Sequence, residues 1–325
     1  MFCSENSPLS HFLLSLLLYG ILFSSIDSGM AGMIRADGSP KYSMAGLLVG
    51  CITNIILDPV FIFIFHWGVK GAALATIAGQ ILNAFLYLAY IRRFKSIKLE
   101  KESFRISVKV MAKVSSLGIS SFITQIAIVL VMAVTNNILV SYGAQSEYGA
   151  EIPLTTIGIT MKVNQIVSAV LLGLATGAQP IFGYNYGSGQ KDRVKKAYRI
   201  IVTASTVMLI LAFFVFQFAP MSIVQLFGSE SEMYNEFAVK CFRIFLLACP
   251  INGLQMATGI FFQAIGKPTQ ATVLSLSRQI VYLLPATILL PMALGVEGAL
   301  WAGPLADVLA FITTLVMLKL YWKKI

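Results

Sequence analysis

Asn54 and Asp58 stand four residues apart within Cys51–Ile62, CITNIILDPVFI, a run that is otherwise almost wholly apolar. In a helix that spacing puts both side chains on one face. Pro59 follows directly; it withholds one backbone donor, kinks the helix and frees the carbonyl one turn back, at Ile55. A carboxylate, an amide oxygen and a loose carbonyl then converge, and hard oxygen donors of that kind suit a small cation or a proton. Thr76, in the next apolar run, has a hydroxyl that either completes this shell or bonds back to its own helix. A second reading of Asp58 stays open, because aspartate before proline also caps a helical segment starting at Pro59.

Other polar residues lie within apolar runs: Asp27, Gln125, Lys162, Arg243, Arg278 and Asp307. A charge at the centre of a bilayer costs about 2.5–3.5 kcal/mol on insertion scales, so such residues face a cavity, a partner or a transport path. Lys162 and Arg243 have stems long enough to snorkel or to reach a carboxylate. Arg278 and Asp307 fall on successive helices, which suits an ion pair as well as a proton relay. The cysteines (Cys3, Cys51, Cys241, Cys249) and histidines (His11, His66) have no metal or disulfide spacing and read as structural. A sodium ion at Asp58 is the one metal the sequence leaves room for, and no organic cofactor is expected.

The elements that must hold these groups are membrane helices. Hydrophobic residues make up 57% of the chain and charged residues 12%, about half the charged share of a soluble domain. Each span needs about 20 apolar residues, and nine such runs are expected, near 9–33, 42–65, 71–91, 114–141, 153–182, 198–219, 236–262, 270–293 and 299–320. Of the 24 basic residues, 19 fall in Arg35–Lys41, Arg92–Lys113, Lys191–Arg199, Lys267 and the tail from Lys319. Those breaks alternate with acidic or neutral ones carrying Glu147, Glu151, Glu230, Glu232 and Glu297. The bias puts the basic breaks and the C-terminus in the cytoplasm and the N-terminus outside. A net charge of +10 therefore reflects orientation in the bilayer rather than nucleic-acid binding. Gly183–Gly189, GYNYGSG, lacks the Gly-Lys-Ser/Thr ending of a phosphate loop and is expected to be a tight turn. An intramembrane transferase would want an Asp-x-x-Asp pair on a cytoplasmic loop, and none is found; the chain is not expected to be an enzyme.

The chain repeats itself. Arg35-Ala-Asp-Gly-Ser-Pro40 recurs as Gln263-Ala-Ile-Gly-Lys-Pro268, and Gly68-Val-Lys-Gly-Ala-Ala73 as Gly295-Val-Glu-Gly-Ala-Leu300, both about 228 residues on. The repeat divides the chain into a partial first lobe at 1–97 with three spans, a basic linker at 98–113 and a complete second lobe at 114–325 with six. Completing the first lobe would take three more spans ahead of Met1, in roughly 131 residues.

The runs IRADGSPKYSMAGLLVGCITNIILDPVFIFIFHWGVKGAALAT (34–76), GLATGAQPIFGYNYGSGQKDRVKKAYR (173–199) and FFQAIGKPTQATVLSLSRQIVYLLP (261–285), in that order, resemble the multidrug and toxic compound extrusion (MATE) family. The resemblance implies an all-α polytopic fold of twelve helices in two six-helix lobes, an inverted V with pseudo-twofold symmetry. It implies export of cationic or amphipathic drugs from the cell across its inner membrane, in exchange for sodium ions or protons, with the bilayer and small-molecule substrates as partners. Asn54, Asp58 and Thr76 match three members of the family's first-lobe cation cluster; the fourth, an aspartate on the first helix, would precede this chain. Gln125 stands where some relatives carry an acidic cation ligand. A lipid-linked oligosaccharide flippase of the same superfamily is the alternative within transport, and an inactive fragment the alternative outside it.

Overall fold

The computed structural model describes residues 8–95, 107–228 and 231–322. Among them every regular element is helical. In order these are α1 (Pro8–Ala36), α2 (Pro40–Pro59) running into a π-helical turn (Val60–Ile64), α3 (Gly68–Tyr90), α4 (Val108–Gly143), α5 (Glu151–Gly187) and α6 (Lys191–Phe218). There follow α7 (Pro220–Phe227), α8 (Glu232–Phe245), α9 (Cys249–Ala264), α10 (Pro268–Leu276), a π-helical segment (Ser277–Leu283), α11 (Leu284–Leu294) and α12 (Val296–Trp322). Seven rods in the described residues are long and apolar enough to cross a bilayer, or eight if α8 and α9 form one bent span. The first expected span is the 29-residue α1. This is a multi-pass membrane protein.

The chain divides into two compact units, Met1–Arg105 and Ile106–Ile325. Residues 98–106 of the expected linker lie outside the described residues, and its end is helical, since α4 starts at Val108. Cys3, the His11 side chain and the tail beyond Trp322 also lie outside them.

In the first unit α3 packs against both α1 and α2. Small residues permit the approach of α2 to α3: a Cβ on Gly79 would lie 2.7 Å from the Gly50 carbonyl oxygen. Without water to expel, close backbone packing of this kind is what joins membrane helices. Met30, Ile34, Tyr87 and Tyr90 form the buried core on the α1 side. Asp37, after α1, accepts from the Tyr90 hydroxyl at 2.8 Å and from the Lys95 amide at 3.0 Å, tying the end of α3 to that turn.

In the second unit α5 packs against α4, α6, α8 and α9, and α12 against α9, α11 and the π segment. Two local expectations are corrected here. The single span expected at 236–262 is two helices bent by 50°, because Pro250 enters the first turn of α9 and offers no amide to continue α8. The turn expected at Gly183–Gly189 is mostly helix: α5 runs on to Gly187, and the turn is confined to Ser188 and Gly189, the latter at φ +73°. Asn185 closes that last turn by donating from Nδ2 to the Ile181 carbonyl at 2.8 Å.

The sequence repeat has a structural counterpart. Gly38 and Gly266 both take positive φ, and the residues after them, Ser39 and Lys267, donate to the carbonyls of Ile34 and Phe262 five residues back. Pro40 and Pro268 then open the next helix of each copy. Gly68, the first residue of α3, and Gly295, just before α12, likewise take positive φ.

Candidate cation-binding site

The α2–α3 pair brings Asn54 and Thr76 together. Asn54 donates from Nδ2 to Thr76 Oγ1 at 3.4 Å, while Thr76 donates to the Ala72 carbonyl at 3.0 Å. The expected bond of Thr76 back to its own helix is thus formed, and its oxygen also accepts from Asn54. One turn along α2, Asp58 has a buried Oδ1 that no donor reaches. Capping by Asp58 is not realised. α2 continues through Pro59 into the π turn, whose start carries no side-chain cap. Pro59 cannot donate to Ile55, and the next amide, Val60, donates to Leu57 instead. Phe65 then donates to Val60 at 3.0 Å across the widened turn. The local fold thus presents a buried carboxylate oxygen without a donor, one helical turn from the Asn54–Thr76 pair, which fits a bound cation or proton.

Thr76 also heads a polar edge of α3. Gln80, Asn83 and Tyr87 follow at helical spacing. Asn83 is 6% exposed and fits against the glycines of α2: its Oδ1 would lie 2.9 Å from a Cβ on Gly46. Its amide faces the carboxyl of Asp27 on α1. Asp27 Oδ1, Gln80 Oε1 and Asn83 Oδ1 are all buried without a donor. Asp27 is thereby placed in the first unit's polar interior, in company that the sequence analysis did not name.

In the second unit Arg278 and Asp307 meet. Arg278 donates to Asp307 Oδ1 from Nε at 2.7 Å and from Nη2 at 2.6 Å, and Asn252 Nδ2 donates to Oδ2 at 2.8 Å. Asp307 is 4% exposed. The group joins the π segment, α12 and α9. Gln125, Lys162 and Arg243 are exposed on α4, α5 and α8 and are not gathered into a site; the Arg243 carbonyl accepts from Gln217 Nε2 at 2.9 Å.

Comparison with known proteins bears on the fold that carries these residues. A family model described as MatE matches residues 120–288, just over half of the chain. The chain belongs to the MATE family. Among curated proteins it is 27% identical, over 288 residues, to the multidrug export protein MepA of Staphylococcus haemolyticus, and 25% identical over 291 residues to that of Staphylococcus aureus. Each alignment takes in 88% of this chain but only 62% and 61% of the relative, so the chain spans about three fifths of the length of the proteins it matches. Among solved structures, a MATE protein in complex with MaL6 superposes with a TM-score of 0.88 at 19% identity, over 98% of this chain and 72% of the other. An outward-facing multidrug-resistance MATE transporter gives 0.87 at 20%, over 96% and 69%. These likenesses establish the fold.

Within this MATE chain, sequence reasoning missed Gln80, Asn83 and Asn252. Gln80 and Asn83 carried a usable signal, since Thr76, Gln80, Asn83 and Tyr87 form one helical stripe. Asn252 carried none, because nothing in its neighbours tells an amide that bonds a buried acid from one that faces lipid headgroups.

Proposed function

We propose that this chain acts in cation-coupled export of cationic or amphipathic small molecules across the cell membrane, with its C-terminus in the cytoplasm. Asn54, Asp58 and Thr76 hold a sodium ion or proton. The observation that carries the reading is the donor-free Oδ1 of Asp58, one turn from an Asn54 that already reaches Thr76 across the α2–α3 interface. The names of the MepA relatives, multidrug export proteins, supply the direction of transport and the substrate class. When bound, the cation supplies the positive charge that an inward-facing carboxylate lacks.

The residues divide the work. Asp58 carries the charge that must be neutralised, and Asn54 and Thr76 set the position of the oxygens around it. Pro59 and the π turn make the helix beside Asp58 the place where α2 repacks when that charge changes. Coupling follows only from a difference in cation affinity between two packings of this unit.

The test uses the full-length gene product in proteoliposomes loaded with a fluorescent cationic dye. Asp58→Asn is expected to insert normally and to lose dye efflux driven by an imposed gradient. Imposing sodium and proton gradients separately identifies the coupling ion. Gradient-driven efflux by Asp58→Asn at the unmodified rate would sink the assignment.

A further inference from the structure

We propose that Asp27 is a second proton-exchanging carboxyl of the Met1–Arg105 unit, joined to the Asn54–Thr76 pair by the polar edge of α3. The proposal rests on the cation-coupled reading for what the proton does, and on its own geometry for the binding.

Asp27 precedes the end of α1 at Ala36 by nine residues, about 13 Å at 1.5 Å per residue, so it lies within the span rather than at its mouth. Its Oδ1 is buried and accepts no hydrogen bond. The charged and titratable groups near it are few. On α3, Tyr87 lies beside it, with its hydroxyl hydrogen committed to the Ser43 carbonyl at 2.6 Å. On α1, Arg35 is two turns away and donates to Ser43 Oγ at 3.4 Å. On α2, neither Lys41 nor Asp58 forms a hydrogen bond or ion pair with Asp27. Among the described residues no cation pairs with it.

What faces Asp27 is the amide of Asn83, whose own Oδ1 has no donor. Gln80 Oε1 is in the same condition, directed at Gly20 on α1, where a Cβ would lie 3.0 Å away. Three oxygens of this strip, Asp27 Oδ1, Gln80 Oε1 and Asn83 Oδ1, are buried without a donor, and among the described residues no ion pair offsets the Asp27 charge. A proton removes that buried charge and turns an acceptor-only group into a neutral O–H donor that keeps an acceptor oxygen. A metal ion does not meet the same need, because Asn83 Oδ1 points at Gly46 of α2 and Gln80 Oε1 at Gly20 of α1, so the oxygens do not converge. Thr76 and Asn83 are seven residues apart, about 10 Å along α3, with Gln80 between them. In the exchange an O–H bond of a hydronium ion breaks as the O–H bond at Asp27 forms, which takes the carboxyl from −1 to neutral, and the reverse step returns the proton to water.

The experiment labels the full-length gene product with dicyclohexylcarbodiimide, which adds to protonated carboxyls in apolar surroundings, and maps the adducts by tandem mass spectrometry across a pH series. The unmodified protein is expected to carry label at Asp27 that rises several-fold as pH falls. The label persists in Asp58→Asn, disappears in Asp27→Asn and returns in Asp27→Glu. An Asp27 peptide that stays unlabelled while other acids react, or labelling that does not vary with pH, would overturn the proposal. Since the readout needs no drug transport, it is separable from the Asp58 test: normal export by Asp58→Asn with pH-dependent label at Asp27 would remove the coupling role and leave the proton site.

Discussion

Removing either partner of the Arg278–Asp307 pair is expected to destabilise the protein far more than removing both. Asp307 is 4% exposed and receives three hydrogen bonds, two from Arg278 and one from Asn252. Replacing Asp307 with Leu leaves a buried guanidinium with no anion, for which the range is about 3–5 kcal/mol. The Arg278 side chain keeps 26% of its surface exposed and retains some hydration, so the lower end applies, about 3 kcal/mol or two decades in the unfolding equilibrium. Arg278→Met leaves a more deeply buried carboxylate with only Asn252 as donor, and about 4 kcal/mol is expected. The double variant buries neither charge. It loses only the Asn252 bond, about 1 kcal/mol, and gains apolar packing. Equilibrium unfolding in mixed micelles, followed by tryptophan fluorescence, measures all three. Single costs that simply add in the double variant would refute the claim that the pair is a mutual compensation. A double variant that is stable yet cannot export would instead restore the proton-relay reading of these two residues.

Gly79→Ala places a methyl 2.7 Å from the Gly50 carbonyl oxygen, so α2 and α3 must part at a cost of about 1–3 kcal/mol. Gly173→Ala, where nothing lies within 4 Å, is the control and is expected to be neutral or to stabilise by up to about 1 kcal/mol; equal thermal shifts for the two would contradict the packing argument. Asp37→Ala removes the acceptor of the buried Tyr90 hydroxyl and the Lys95 amide and is expected to cost about 2 kcal/mol, seen as faster proteolysis near residues 90–95; an unchanged cleavage pattern would show that the turn does not hold α3. Thr76→Ser keeps the hydroxyl and is expected to leave cation dependence unchanged. Thr76→Val, by contrast, is expected to raise the cation concentration for half-maximal efflux about tenfold, the worth of one hydrogen-bonding ligand; equal values for the two variants would remove Thr76 from the site.

Much of this architecture is local and therefore legible. Apolar runs long enough to span a bilayer, broken by glycine, proline and basic residues, specify helices and their order without reference to neighbours. The repeat was legible for the same reason: Gly38 and Gly266 each need a positive φ before a proline-opened helix, and a backbone requirement leaves its mark in residue type. Asn54 and Asp58 were found from spacing because both lie on one helix. The bend between α8 and α9 was not, since Pro250 at a helix start and Pro180 or Pro304 inside a continuous helix differ only in whether the neighbouring helices support the lost hydrogen bond.

What the chain alone determined about this protein is its membrane helices, their order, its repeat and its resemblance to the MATE family. Tertiary structure decided which polar groups are satisfied. Arg278 and Asp307 were two separate charges until α12 was set beside the π segment and paired them. Asp27 was a lone acid until α3 brought Asn83 to it, and the capping role open to Asp58 was removed when α2 ran on through Pro59. Hydrogen bonding within a helix is set by sequence neighbours, whereas the partner of a side chain is set by which helix face lies opposite it.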